Sequence, residues 1–205
     1  GQDYAARVTT GKPYEWNSEG EFHVVAFDFG IKYNILRGLA ANNMRVTVLP
    51  AAATAEDALA QNPDGVFLSN GPADPAAVGY AIRTIRELIG KVPLFGICLG
   101  HQLFGLASGA ECGRLKFGHH GCNHPVRNLL TNKVEITSQN HNFALKAGAL
   151  PATLEVTHIN LNDNTIEGVR HRTEPAASVQ FHPEAAPGPH DSFSLFQEFR
   201  KLMER

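Results

Sequence analysis

The chain has 205 residues, 43% of them hydrophobic and 19% charged, which is typical of a globular domain large enough to fold without disulfides or metals. Its net charge of -2 provides no basic surface for nucleic acid or an anionic membrane, and its apolar runs are too short to cross a bilayer. The N-terminus lacks a signal-peptide pattern, and an odd set of cysteines, Cys98, Cys112 and Cys122, indicates a reducing cytoplasm rather than a disulfide framework.

The first half of the chain alternates short apolar segments with amphipathic ones. Residues 1–21 are polar and are predicted to be a linker or arm, whereas residues 22–205 are predicted to form one domain. The predicted strands of this half are 24–29, 46–49, 65–69 and 94–98, and the predicted helices are 35–40, 55–61, 81–89 and 99–108. Short connections between alternating strands and helices predict a parallel, doubly wound sheet.

After Gly109 the pattern changes, because strand-like segments follow one another without a long helix between them. These segments, which predict hairpins, are 134–137, 154–159, 165–169 and 177–181. A final helix is predicted from about Asp191, and its inward face is formed by Leu195, Phe196, Phe199, Leu202 and Met203. The predicted fold is therefore α/β: an open, mostly parallel, doubly wound sheet with flanking helices and an additional small antiparallel section in the C-terminal half.

A G-x-C-x-G pattern, Gly96-Ile97-Cys98-Leu99-Gly100, lies at a predicted junction between a strand and a helix. This is the cysteine form of the nucleophile elbow, a tight turn that presents the reactive atom above the sheet. The helix dipole would stabilise a Cys98 thiolate there, and the amide of Leu99 would point towards an oxyanion. The alternative is a buried cysteine that only packs, which is the commoner fate of a free cysteine.

A thiolate nucleophile needs a proton carrier, and histidine usually has that role. Among ten histidines the candidate is His182, which follows the last predicted strand in Phe181-His182-Pro183-Glu184. Functional groups gather at the carboxyl ends of parallel strands, so His182 could reach Cys98 there. Glu184 could hold the other ring nitrogen, because Pro183 ends the regular strand and lets both side chains turn to one side. Taken alone, this segment is more typical of a surface turn.

Together these residues resemble the class I (triad-type) glutamine amidotransferases, which carry a G-x-C-x-G-x-Q segment and a later H-P-E. In this chain the two segments are 96–102 and 182–184. Three further segments are similar to the small subunits of carbamoyl-phosphate synthases: 116–121, 138–143 and 183–191. The resemblance extends from about Phe22 to the C-terminus, and residues 1–21 resemble the connector that follows the N-terminal domain of those subunits.

The resemblance implies a role for each residue of the motifs. Cys98 would attack the side-chain amide of glutamine to give a thioester, with His182 and Glu184 completing the catalytic triad. The oxyanion hole would consist of two backbone amides, those of Gly71 and Leu99. The implied substrate-binding residues are Gly71, Ala73, Leu99, Gln102, Asn140, Asn142 and Phe143. The family usually has glycine at positions 73 and 142, so a requirement for positive φ would strain Ala73 more than Asn142.

The resemblance also implies partners. The substrate would be L-glutamine, and the ammonia would pass to a large ATP-using carbamoyl-phosphate synthase subunit, for arginine or pyrimidine synthesis. ATP and metal ions are expected only on that subunit, so no cofactor and no metal is expected in this chain. Four residues of types that bind metals lie close together in the sequence: His119, His120, Cys122 and His124. Their spacing matches no zinc-binding pattern.

Two other functions stay open on the sequence alone. A non-catalytic docking or regulatory domain of the same fold would explain Ala73, Asn142 and the absence of the N-terminal domain, but not the retained triad. A cysteine peptidase or other hydrolase of this fold would not need Gln102 or the Gln139-Asn140-His141 segment.

Overall fold

A ten-stranded sheet organises the protein, and helices pack on both of its faces. The computed structural model describes residues 2–186 and 188–204. The strands are β1 Tyr14–Asn17, β2 Phe22–Asp28, β3 Met44–Pro50, β4 Gly65–Leu68, β5 Leu94–Ile97, β6 Cys112–Asn128, β7 Val134–Leu145, β8 Leu154–Asn160, β9 Ile166–His171 and β10 Ala176–Val179. The helices are α1 Ala5–Val8, α2 Tyr33–Ala41, α3 Ala55–Leu59, α4 Gly79–Leu88, α5 Leu99–Ala107 and α6 Leu195–Met203, with short 3-10 helices at Pro75–Ala77 and Ala147–Ala149.

The strand order across the sheet is β1-β3-β2-β4-β5-β10-β9-β8-β6-β7. Strands β3, β2, β4, β5 and β10 are mutually parallel, whereas β1 and the run from β9 to β7 pair antiparallel. The predicted α/β class is confirmed, including the doubly wound parallel part and its flanking helices. The antiparallel part continues the same sheet and is larger than the small section predicted, because β6 and β7 form a long hairpin.

Two apolar layers, one on each face, hold the helices to the sheet. Side chains alternate along β2: Val25 and Phe27 face the layer that contains α3, α4 and α5, and Val24 and Ala26 face the layer of α2 and α6. This burial on both faces explains why the parallel strands are continuous apolar runs in the sequence.

The last helix has the predicted inward face, since Leu195, Phe196, Phe199 and Met203 are buried and Leu202 is half-buried. It begins at Leu195 rather than near Asp191, because the intervening residues form turns. Within the described part of the chain, no helix is long and apolar enough to cross a membrane.

Strand β6 is a structural element that the sequence pattern did not predict. Its residues lack the apolar alternation of a half-buried strand, and Phe117 is 81% exposed. Gly118 and Gly121 have positive φ, and the register with β7 shifts between Arg114 and His119 and again between Gly121 and His124. These irregularities interrupt the period of two on which strand prediction depends.

The segment predicted as a linker or arm, 1–21, carries a short helix and a strand. In α1 the side chain of Ala5 is fully buried against the core, and β1 pairs with β3 at the sheet edge. The amide of Thr10 also donates a 2.7 Å hydrogen bond to the Asp28 carboxylate at the end of β2. Gly1, Pro187 and Arg205 lie outside the described residues. Of these, Pro187 belongs to the third segment that is similar to the synthase subunits.

Candidate active site

Cys98 lies in the tight turn between β5 and α5, with φ 54° and ψ -103°. The turn is possible because the flanking glycines leave room for the backbone. A Cβ on Gly100 would stand 2.2 Å from the carbonyl oxygen of Leu68, and one on Gly96 would stand 2.8 Å from the carbonyl carbon of Gly100. The Gly100 amide donates to the carbonyl of Ser69 at 3.0 Å, which ties the elbow to the end of β4. The G-x-C-x-G pattern therefore has the conformation of a nucleophile elbow.

The backbone of Cys98 is strained, because a residue with a Cβ rarely adopts this combination of φ and ψ. We expect Cys98→Gly to have a free energy of unfolding about 1 kcal/mol higher than Cys98→Ala, since only glycine relieves the strain. At an unstrained position alanine would be the more stable of the two. Urea unfolding of both variants measures the difference, and an alanine variant at least as stable as the glycine variant would contradict a strained elbow.

His182 and Glu184 are paired beyond the end of β10. His182 Nδ1 lies 2.7 Å from Glu184 Oε1, and both side chains are almost fully buried. The His182 amide donates to the carbonyl of Ser138 at 2.9 Å, which fixes the segment against β7. With Nδ1 donating to Glu184, Nε2 is the nitrogen left for chemistry, and it has no hydrogen-bond partner among the described residues. Burial lowers the pKa of His182, but a Cys98 thiolate and the Glu184 carboxylate outweigh burial and raise it above its usual range.

Lys32 is a further charged residue at this site, and the sequence analysis did not identify it. Its Nζ lies 3.3 Å from Glu184 Oε1 and 3.3 Å from His182 Nδ1. Burial raises the pKa of Glu184, but the hydrogen bond from His182 and the charges of His182 and Lys32 outweigh burial and hold that pKa below its usual range. The side-chain amide of Asn34 donates to the backbone carbonyl of Glu184. Lys32 follows the carboxyl end of β2, and that position was the only available signal.

A cavity of about 310 Å³ lies between Lys32, Cys98 and His182. Cys98 and His182 both line it, and the Cys98 Sγ lies 4.0 Å from the carbonyl oxygen of Asn140. Of the predicted substrate-binding residues, these line the same cavity: Gly71, Ala73, Gln102, Asn140, Asn142 and Phe143. Leu99 is not among the lining residues; it is the first residue of α5, whose first amides have no carbonyl partner within the helix. The cavity volume suits a small polar ligand.

Ala73 and Asn142 stand where the family usually has glycine. Both line the cavity, and neither has the positive φ that would strain its backbone. Within residues 2–186 and 188–204, the non-glycine residues with positive φ are Asn43, Asn62, Cys98, Asn132 and Asn164. Asn142 instead extends its side chain towards His120, whose Nε2 lies 3.3 Å from Asn142 Oδ1 and whose Nδ1 lies 3.1 Å from Asn140 Oδ1. Backbone strain at these two positions is therefore no argument against ligand binding.

His119, His141 and Glu167 each offer a possible metal-ligand atom, and these atoms lie within 4.8 Å of one another. This group differs from the cluster that the sequence brings together. His119 Nε2 lies 2.8 Å from Asp163 Oδ2, and both ring nitrogens of His141 lie 2.8 Å from protein oxygens. The protein's own groups therefore occupy most of the ring nitrogens, and the absence of a metal stays a prediction.

His119 links stability to pH. The neighbouring carboxylates of Glu167 and Asp163 outweigh burial and raise the pKa of His119 above 6.5, and His124 and His141 are the other titratable neighbours. A raised pKa in the folded state contributes stability that is complete below pH 6.5 and is lost as pH rises through the folded pKa. We expect the free energy of unfolding of the unsubstituted chain, relative to that of His119→Asn, to fall across that window. Urea titrations at several pH values measure the free energy of unfolding of both proteins. The same dependence of that free energy on pH in both would contradict the prediction.

Comparison with known proteins identifies close relatives. A sequence model of the family described as Glutamine amidotransferase class-I matches residues 25–202. The carbamoyl phosphate synthase small chain of Chlorobaculum tepidum is 62% identical over 209 residues, covering 100% of this chain and 57% of its own length. The chloroplastic small chain of Arabidopsis thaliana is 50% identical over 219 residues, covering 100% of this chain and 51% of its own. The chain thus spans about half the length of the curated relatives it matches.

Two solved structures share the fold at 20% sequence identity. One, a Thermoplasma acidophilum protein assigned to a GMP synthase, has a TM-score of 0.77 and covers 89% of this chain and 94% of its own. The other, a glutamine amidotransferase of Thermotoga maritima, has a TM-score of 0.64 and covers 80% of this chain and 76% of its own. At this level of identity the likeness concerns the fold alone.

Proposed function

The chain belongs to the class-I glutamine amidotransferase family, and from that premise we propose that it hydrolyses the side-chain amide of L-glutamine through a Cys98 thioester and supplies the ammonia for carbamoyl phosphate formation. The observation that supports the chemistry most directly is that Cys98, at a strained elbow, lines the same cavity as His182, whose other ring nitrogen is paired with Glu184. This is the nucleophile, base and orienting group that amide hydrolysis requires.

In the first half of the reaction, the Cys98 thiolate attacks the amide carbon of glutamine, and a carbon–sulfur bond forms while the carbonyl electrons move to oxygen. The backbone amides of Gly71 and Leu99 stabilise this oxyanion. His182 Nε2 then donates its proton to the amide nitrogen, the carbon–nitrogen bond breaks, and ammonia leaves. The raised pKa of His182 favours the imidazolium, the form that donates this proton. The product of this half is a γ-glutamyl thioester on Cys98.

In the second half, neutral His182 removes a proton from water, and the hydroxide attacks the thioester carbon. The carbon–sulfur bond breaks, Cys98 leaves as a thiolate, and glutamate is released. Glu184 holds the imidazole through Nδ1 and stabilises its charged form, while Lys32 compensates the buried carboxylate. Gln102, Asn140 and Phe143, at the wall of the cavity, would contact the amino-acid part of glutamine.

The partner that we propose is a large carbamoyl-phosphate synthase subunit, which would use ATP, and its own metal ions, to combine the ammonia with bicarbonate in the cytoplasm. Support comes from the relatives, which are named carbamoyl phosphate synthase small chains. Ammonia reacts as a nucleophile only while unprotonated, so direct transfer to the partner is more productive than release. The first 21 residues would connect this domain to a further N-terminal domain, and no cofactor is proposed for the chain itself.

The proposal is tested by measuring glutamate release from glutamine by the chain alone and together with a carbamoyl phosphate synthase large chain, ATP and bicarbonate. We expect turnover by the chain alone, faster turnover with the large chain, and carbamoyl phosphate formed from glutamine. A folded chain that releases no glutamate in either mixture, yet alters ammonia-dependent synthesis by the large chain, would instead be a docking or regulatory domain. Hydrolysis of peptide substrates in preference to glutamine would contradict the proposed substrate.

A further inference from the structure

Glu167 on β9 is a buried carboxylate that does not line the glutamine cavity. Its side chain is completely buried, and it accepts hydrogen bonds from Gln139 Nε2 at 2.9 Å and from Asn160 Nδ2 at 3.0 Å. His119 Nδ1 lies 3.3 Å from Glu167 Oε1 and forms an ion pair with it when His119 is protonated. A carboxylate with this many partners is stable without solvent, and its contact with Gln139 leads towards the cavity.

A series of close polar contacts connects Glu167 with the cavity wall. Gln139 Oε1 lies 2.8 Å from His141 Nε2, and His141 Nδ1 lies 2.8 Å from the carbonyl oxygen of Phe143. The same carbonyl accepts a 2.9 Å hydrogen bond from Gln102 Nε2. Both Phe143 and Gln102 line the cavity, and so do the residues between Gln139 and Phe143.

The direction of these bonds depends on Glu167. A carboxylate can only accept, so it requires the Nε2 group of Gln139 to face it. The Oε1 atom of Gln139 is thereby directed at His141, which must present a proton on Nε2. The amide orientation of Gln139 and the ring orientation of His141 therefore follow from one carboxylate on a different strand.

We propose that Glu167 is a positioning residue, which raises the affinity for glutamine by orienting Gln139 and His141 and so holding segment 139–143 in its binding conformation. This inference rests on the proposed function, because it concerns the same cavity. Glu167 itself touches neither Cys98 nor the cavity, so its effect is on substrate binding more than on the chemical steps.

The test compares Glu167→Leu with Glu167→Gln. In the leucine variant we expect the KM for glutamine to rise about 10-fold or more, since Gln139 and Asn160 lose their acceptor, while kcat changes less than about threefold. In the glutamine variant, the oxygen of the new side chain can accept a hydrogen bond from Asn160. Its NH2 group can donate to the side-chain oxygen of Gln139, provided that the Gln139 amide turns over so that its oxygen faces position 167. The turned Gln139 amide then donates to His141 Nε2, and the ring proton, now on Nδ1, donates to the carbonyl of Phe143, so His141 stays oriented and most of the affinity returns.

A matched control separates positioning from loss of stability. Asn128 is also buried, and its side chain caps the turn between β6 and β7 through the amides of Leu130 and Thr131, away from the cavity. We expect Asn128→Ala to lower thermal stability while leaving the KM unchanged. A KM that stays the same in Glu167→Leu, or rises as much in Glu167→Gln or Asn128→Ala, would overturn the inference.

A second measurement does not depend on turnover. The imidazole nitrogen resonances of His141 report its tautomer, and we expect them to change in both Glu167 variants, with the Nδ1-protonated form in Glu167→Gln. If the unsubstituted chain releases no glutamate, the proposed function fails, but unchanged His141 resonances in the variants would still overturn the positioning role and changed ones would support it.

Discussion

Cys98→Ala is expected to lower the rate of glutamate release from glutamine by at least about 10³-fold. The thioester route needs the sulfur atom, and water activated by His182 has no comparable path to the amide carbon. The effect on folding is small by comparison, because the Cys98 side chain is small and its backbone strain is the same with alanine. Glutamate formation measured at saturating glutamine, with circular dichroism to verify the fold, gives the result.

Cys112→Ala is the matched control for this variant. Burial raises the pKa of the Cys112 thiol to about 12, so that thiol stays protonated at neutral pH and is a poor nucleophile. We expect its replacement to leave the rate of glutamate release within about twofold of the unsubstituted chain. Retained turnover in Cys98→Ala, or an equal loss in Cys112→Ala, would show that Cys98 is not the nucleophile.

Gly100→Ala is expected to lower the free energy of unfolding by about 3 kcal/mol or more. The added Cβ would stand 2.2 Å from the carbonyl oxygen of Leu68 and 2.7 Å from its carbonyl carbon. Both atoms belong to the backbone of β4, so no side chain can move aside to relieve the contact. Helix α5 would have to separate from the sheet, and the elbow that carries Cys98 would move with it. Urea unfolding measures the loss.

Gly148→Ala provides the comparison, since a Cβ there has no neighbouring atom within 4 Å. We expect this change to alter the free energy of unfolding by no more than about 0.5 kcal/mol. Equal stability losses in the two variants would mean that contact with β4 is not what requires glycine at position 100.

The parallel half of the sheet was predictable because its strands are buried on both faces. Continuous apolar runs such as 24–29, separated by amphipathic helices, are compatible with few other folds. The antiparallel half was less predictable. Strand β6 contains glycines with positive φ and register shifts, and its His120 side chain bonds across the hairpin to Asn140 and Asn142. A local pattern of hydrophobicity does not record such pairings, because they depend on the residues of the partner strand.

The candidate site shows the same division. Cys98, His182 and Glu184 belong to short motifs with defined spacing, and the structure brings Cys98 and His182 to one cavity with Glu184 behind the histidine. Lys32 and Glu167 carry no motif. Their importance comes from distances across the fold, to Glu184 in one case and to Gln139 in the other. Sequence motifs locate the triad, including Glu184 that orients His182, whereas supporting groups outside the motifs become visible only after folding.

The most direct test of the central claim is to quench the chain with acid during turnover of isotopically labelled glutamine and to locate the label by peptide mass spectrometry. We expect a γ-glutamyl group bound through a thioester to the peptide that contains Cys98, released by mild base and absent from Cys98→Ala. Steady turnover without any protein-bound label, or label on a different residue, would contradict a Cys98 thioester and with it the proposed mechanism.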